Sequence, residues 1–149
     1  LGGSTLQEWV NEHYLRNVGL PEVHVYDRDV LTKGKYKYQE ACDAVNNRGD
    51  GSVAFLTTKR ELENYLHLDA ISEAFQQSSN VVFSFTLDDD CDVETEVENQ
   101  LGQRKLNRRS MKHWLNDDAA KCMTVARLQA RNAYDEVLSW FEAVIDRLK

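Results

Sequence analysis

No stretch of this 149-residue chain approaches the roughly 18 consecutive apolar residues that cross a bilayer, and no charged-then-apolar leader opens it. A cytoplasmic protein without membrane contact is therefore expected. Cysteine is sparse: Cys42, Cys91 and Cys122 are far apart, odd in number and without Cys-x-x-Cys spacing, which excludes a disulfide framework and a cysteine zinc site. His13, His24, His67 and His113 form no His-x-x-x-His set, so a histidine zinc centre is not expected either. Gly-x-x-x-x-Gly-Lys-Ser/Thr and Gly-x-Gly-x-x-Gly are both missing, so this chain is not expected to bind ATP or a dinucleotide. Positive charge is not in excess. A net charge of -7 excludes broad adhesion to nucleic acid and leaves only local or metal-bridged contact with DNA. With no repeat, no low-complexity linker and 42% hydrophobic residues, 1–149 reads as one domain.

What is present is an alternation of short strands and helices. Leu6, Trp9, Val10, Tyr14 and Leu15 recur at helical spacing and predict a helix over 5–17, with Gly19 as its stop. Pro21 introduces the first strand, in the β-branched and aromatic run Val23 to Asp29 that ends in two acids. A helix is predicted from about Lys35 to Asn47, with Tyr38, Ala41, Cys42 and Val45 on its buried face and Arg48-Gly49-Asp50-Gly51 as its exit turn. A second strand, Ser52 to Leu56, a helix from Asp69 to Gln76 capped by Asp69, and a third strand, Val81 to Phe85, follow. Strands separated by helices predict βαβ units, hence an α/β fold with a parallel sheet flanked by helices. Beyond Thr86 the character changes, so 1–87 reads as the α/β core and 88–149 as a mostly helical extension. Its clearest helix, Asp135 to Leu148, carries the apolar face Val137, Leu138, Phe141, Val144, Ile145 and Leu148.

Two acid pairs at i, i+2 spacing stand where strands run out. Asp27 and Asp29 follow the first strand, and Glu61 and Glu63 lie just past the second. Ligands of a parallel α/β sheet bind at the carboxyl ends of its strands, so the topology is expected to gather four carboxylates as ligands for Mg²⁺ or Mn²⁺, hard cations that take oxygen donors. Two such ions can activate a water and stabilise the leaving oxygen in phosphodiester cleavage. Lys59 or Arg60 would then face the scissile phosphate, where charge grows in the transition state. Each pair also has a plainer reading: a solvated turn for Asp27 and Asp29, a helix first turn for Glu61 and Glu63. The acids crowded between Asp88 and Glu98 lack the glycine and glutamate of a Ca²⁺ loop and read as a solvated loop and helix start. The basic residues Arg104, Lys105, Arg108, Arg109 and Lys112 either touch phosphates or neutralise those acids.

Leu1-Gly2-Gly3-Ser4-Thr5, His24-Val25-Tyr26-Asp27-Arg28-Asp29 and Thr57-Thr58-Lys59-Arg60-Glu61-Leu62-Glu63-Asn64-Tyr65-Leu66 together resemble the TOPRIM domain of OLD-family (overcome-lysogenization-defect) ATP-dependent endonucleases. The similarity extends to Met123-Thr124 and Glu136-Val137-Leu138-Ser139-Trp140, and its most specific piece is Arg60 to Leu66. The resemblance implies a TOPRIM-like (Rossmann-like) fold and a DNA endonuclease of phage defence dependent on magnesium or manganese. It implies metal ligands at Asp27, Asp29, Glu61 and Glu63. It also implies an upstream ABC-type ATPase domain, to which ATP would be confined, and a homo-oligomer formed through the full-length protein. A TOPRIM domain has a glutamate after its first strand, which has no match here, so the expectation is a fragment lacking that strand. Two rival expectations are a non-catalytic module that holds metal or a nucleic-acid end, and an interaction domain whose last helix packs on a partner.

Overall fold

The computed structural model describes residues 19–79, 81–102 and 108–149, with the backbone alone at 77–79, 108 and 109. The helix expected over 5–17 lies outside the described residues. Among those residues the fold is mixed α/β, with a two-stranded parallel sheet and six helices. It forms two compact units, Leu1–Thr57 with Leu138–Lys149, and Thr58–Val137. The 87/88 boundary drawn from composition falls inside the second.

In the first unit, β1 (Val23–Tyr26) and β2 (Val53–Leu56) pair in parallel, Val23 opposite Val53 and Tyr26 opposite Leu56. Their crossover is α1 (Gln39–Asn46). Cys42 and Val45 of α1 close a small core with Tyr26 and Ala54, and Tyr38, Ala41 and Leu56 pack around it. This is the face expected from spacing, but the helix starts four residues later than expected. Thr32 and Lys35 pair by two backbone hydrogen bonds of 2.9 and 3.1 Å around Lys33 (φ 53°) and Gly34 (φ 80°). Two consecutive left-handed residues make a tight turn that a helix cannot include.

A charged cluster stands beside β1. Glu22 accepts hydrogen bonds from Arg48 at 2.8 Å and from His24 at 2.6 Å. Burial pushes the Glu22 carboxyl up, but these bonds and the Arg48 charge outweigh it and hold it below the usual carboxylate range. Stability from a depressed carboxyl is complete above the unfolded value, about 4.5, and is lost as pH falls through the folded one. The stability difference between wild type and Arg48→Met, read by urea unfolding, should thus be constant above about pH 5 and shrink in acid. A difference that does not change with pH would separate Arg48 from Glu22.

The second unit is built on α2 (Leu68–Ser79), α3 (Val93–Leu101), α4 (Arg108–His113) with a π-helical turn Trp114–Ala119, and α5 (Val125–Ala130). Phe75 is its centre, edge-on to Phe83 at 5.1 Å and tilted on Trp114 at 4.8 Å, among Ile71, Val93, Val97, Met111 and Leu115. Asp69 lies within the first turn of α2, not at its cap; His67 O accepts from Ala70 N and Ile71 N.

The third strand expected over Val81 to Phe85 does not form. Phe83 N donates to Ser72 Oγ at 3.1 Å, and Ser84 bonds through both N and O to the Gln100 amide at 2.9 Å. That side chain supplies what a neighbouring strand would. Asn46 does the same on β2, accepting from Ala54 N at 2.8 Å and donating to Ala54 O at 3.0 Å. With both backbones satisfied by side-chain amides, neither needs another strand.

The last helix, α6 (Tyr134–Asp146), follows α5; its expected apolar face is exposed at Leu138, Phe141, Val144 and Ile145. No helix among the described residues is long and apolar enough to cross a membrane. The three cysteines are free thiols, each pushed up by burial.

Candidate functional site

In the first unit the two strands end side by side. Thr57 N donates to Tyr26 O at 2.9 Å, and the buried Thr57 hydroxyl accepts from Arg28 N at 2.8 Å. This fixes the half-buried Asp27 between two pinned residues at the exit of β1. Asp29 adopts a left-handed φ of 57°, which a short polar side chain tolerates by bonding locally. Its Oδ1 accepts from Val30 N at 2.8 Å and its Oδ2 lies 3.6 Å from Lys37 Nζ. The turn reading of Asp29 is thus visible, with a cation beside it.

Glu61 and Glu63 belong to the second unit. Glu61 is the N-cap of a 3₁₀ turn, Leu62–Tyr65, and forms a reciprocal capping box with Asn64, whose Oδ1 accepts from Glu61 N at 3.1 Å. Glu63 points inward, 2% exposed, accepting from Asn116 Nδ2 at 2.8 Å with Lys112 Nζ at 3.8 Å. Lys112 also sits 3.0 Å from buried Glu94. Burial pushes the Lys112 ammonium down, but the Glu94 bond and the charges of Glu63, Glu94 and Glu61 prevail and raise it. Three glutamates therefore share one lysine.

Lys59 and Arg60 are engaged by the acidic run. The Lys59 side chain is 3% exposed; its Nζ is 2.5 Å from Asp89 Oδ1 and 5.6 Å from the centre of the Tyr65 ring. Arg60 N donates to Asp89 O at 2.8 Å, and its guanidinium reaches Asp92 at 3.2 Å. Asp92 in turn caps α3 through Thr95 N at 3.0 Å. Both N–H and hydroxyl of Thr58 donate to the Glu136 carboxylate, at 2.8 and 2.5 Å, so α6 grips the segment at its start. The acids at 89 and 92 read from sequence as solvated are the partners of the cations read as catalytic.

No family model, curated protein or solved structure matches this chain.

Asp27 and Asp29 of the first unit and Glu61 and Glu63 of the second each offer carboxylate oxygens, the donor class a hard divalent ion takes. Among the described residues, three His, Cys, Asp or Glu donors come within 4.8 Å of one another at one place, His113, Asp117 and Asp118. Lys121 Nζ already lies 2.8 Å from Asp117 and 3.8 Å from Asp118. The sequence search for His-x-x-x-His passed over this trio because its partners are aspartates, gathered by the π-helical turn. Asn116 and Glu136 were missed for another reason: each meets its partner, Glu63 or Thr58, across more than fifty residues.

Proposed function

We propose that this chain is the TOPRIM-like nuclease domain of a cytoplasmic OLD-type ATPase-nuclease, hydrolysing DNA phosphodiesters with Mg²⁺ or Mn²⁺ in phage defence. The observation that supports it is the parallel, in-register exit of two strands. Asp27 follows β1 directly, and the chain leaving β2 at Thr57 runs on to Lys59, Arg60, Glu61 and Glu63. Acids after adjacent strand ends are what the resemblance implies and what a sheet-edge site needs. Asp27, Asp29, Glu61 and Glu63 would hold the metal, which supplies Lewis-acid stabilisation and an activated water. The Thr57 bonds fix Asp27, the capping box with Asn64 fixes Glu61, and Asn116 holds Glu63. The upstream ATPase would supply the ATP site and the oligomer contacts.

A second reading, a module that binds without cutting, is favoured by Lys59. Its ammonium is held inside the protein by Asp89, not presented to a phosphate.

Nicking of supercoiled plasmid decides between them. A chain extended upstream through the expected first strand should nick in Mn²⁺. Asp27→Asn and Glu63→Gln should each lower that rate by about a hundredfold or more, with Asp90→Asn little changed. An extended chain that retards plasmid in a gel yet never nicks it would overturn the first reading in favour of the second.

A further inference from the structure

A positive stretch of this acidic chain is the short loop that follows Asp27. Between Arg28 and Tyr38, four cations, Arg28, Lys33, Lys35 and Lys37, accompany a single acid, Asp29, and alternate with Tyr36 and Tyr38. The net charge of the whole chain is -7, so this stretch has the opposite sign to its surroundings. The tight turn at Lys33 and Gly34, locked by the Thr32 and Lys35 bridge, presents it as a defined surface.

A cleft of about 380 Å³ opens there, lined by Asp29, Thr32, Lys35, Tyr36, Lys37 and Glu40. That lies at the small end of the about 300–1,000 Å³ typical of ligand pockets. The Arg28 guanidinium lies 5.6 Å from the centre of the Tyr36 ring, and Lys37 Nζ 4.7 Å from that of Tyr38. These contacts hold the rings in place while Tyr36 still lines the cleft. The lysine side chains are open to solvent, Lys35 at 69% and Lys37 at 56%. Their internal partners are Glu40 at 2.9 Å and Asp29 at 3.6 Å. Exposed pairs of this kind contribute little, so a phosphate can take an ammonium from them at small cost. Cations on the backbone together with an aromatic face for the base are the two parts of a single-strand binding surface, and neither reads sequence.

We propose that the loop from Arg28 to Tyr38 binds single-stranded nucleic acid, Lys33, Lys35 and Lys37 taking phosphates and Tyr36 stacking a base in the cleft. This goes beyond the nuclease reading and stands whether or not the chain cuts.

The test is fluorescence anisotropy of a labelled oligothymidylate of about a dozen nucleotides, within the span such sites cover, titrated with the full chain in EDTA. Excluding divalent metal separates this test from the nicking assay. Affinity should fall with salt with a slope near -2, about -0.7 for each of three phosphates. Lys33→Glu/Lys35→Glu should weaken binding at least tenfold and flatten the slope by about 1.4. Tyr36→Ala should weaken it by about tenfold with the slope unchanged, and Tyr36→Phe, which keeps the ring, should bind like wild type. Lys33 and Lys35 are exposed loop residues, so the charge variants leave the core intact. The proposal is overturned if wild type does not bind, if the charge variants bind like wild type, or if duplex binds as tightly as single strand with Tyr36→Ala unaffected. Binding here, together with an extended chain that never nicks plasmid in Mn²⁺, would sink the nuclease reading and leave this proposal standing.

Discussion

Asn64→Ala should lower the stability of the protein by about 3–4 kcal/mol, with the urea midpoint falling and the slope unchanged. Asn64 is fully buried, and its amide makes bonds in three directions. Nδ2 donates to Asp88 O at 3.1 Å and to Cys91 O at 3.0 Å, while Oδ1 accepts from Glu61 N at 3.1 Å. Each buried group that loses its partner costs about 1–3 kcal/mol. The total stays below the sum because exposed Asp88 to Asp90 can turn their backbone to water. A loss under about 1 kcal/mol would show that backbone contacts alone hold the loop, contrary to the expected cost of stranded partners. The residue matters beyond stability, since the loop it holds carries Asp89 onto Lys59. Loosening it should make Lys59 more accessible to amine-reactive reagents even where the fold survives.

Local pattern was legible in the sequence, and pairing across distance was not. The β-branched and aromatic residues of Val23 to Tyr26, the apolar run Val53 to Leu56 and the spacing of Cys42 and Val45 mark strands and a buried helix face because neighbours on one element decide them. Val81 to Phe85 has the same β-forming composition, yet its backbone is met by Gln100 and Ser72, and nothing in the run itself encodes those partners. Strand propensity describes fitness for a sheet, while the sheet itself needs an unsatisfied edge.

The candidate site divides along the same line. Acids following strands could be read directly, because position after a strand is a local property. What surrounds them could not. Asp89 and Asp92 looked like solvated acids, and only folding brings them to Lys59 and Arg60. The basic run was expected either to touch phosphate or to neutralise nearby acids; its last residue, Lys112, does the second, for Glu94 and also for Glu63, which lies far away in sequence. A cation in such a run has no signature of its partner until the helices carrying it are packed.

That lysine is the basis of the last prediction: Lys112→Met should cost about 2–3 kcal/mol at neutral pH. Removing one partner from a buried ion pair costs about 3–5 kcal/mol, since the remaining charge is left in low dielectric. Lys112 is 43% exposed, so water screens part of that, whereas the side chains of Glu63 and Glu94 are 3% and 6% exposed and would keep most of their burden. The pH dependence has a definite sign. The Lys112 ammonium is raised above its ordinary value of about 10.5, so its contribution is complete below that pH and is lost as pH rises through the folded value. Wild type and variant should therefore differ by a constant amount from neutral pH to about pH 10 and converge above it. Metal gives the second readout. If Glu63 belongs to a divalent-cation site, millimolar Mn²⁺ should raise the melting temperature of Lys112→Met more than that of wild type, because the ion binds the native state and no ammonium competes for the carboxylates. Equal shifts in the two proteins would place Glu63 outside any metal site and leave it as the buried partner of a structural lysine.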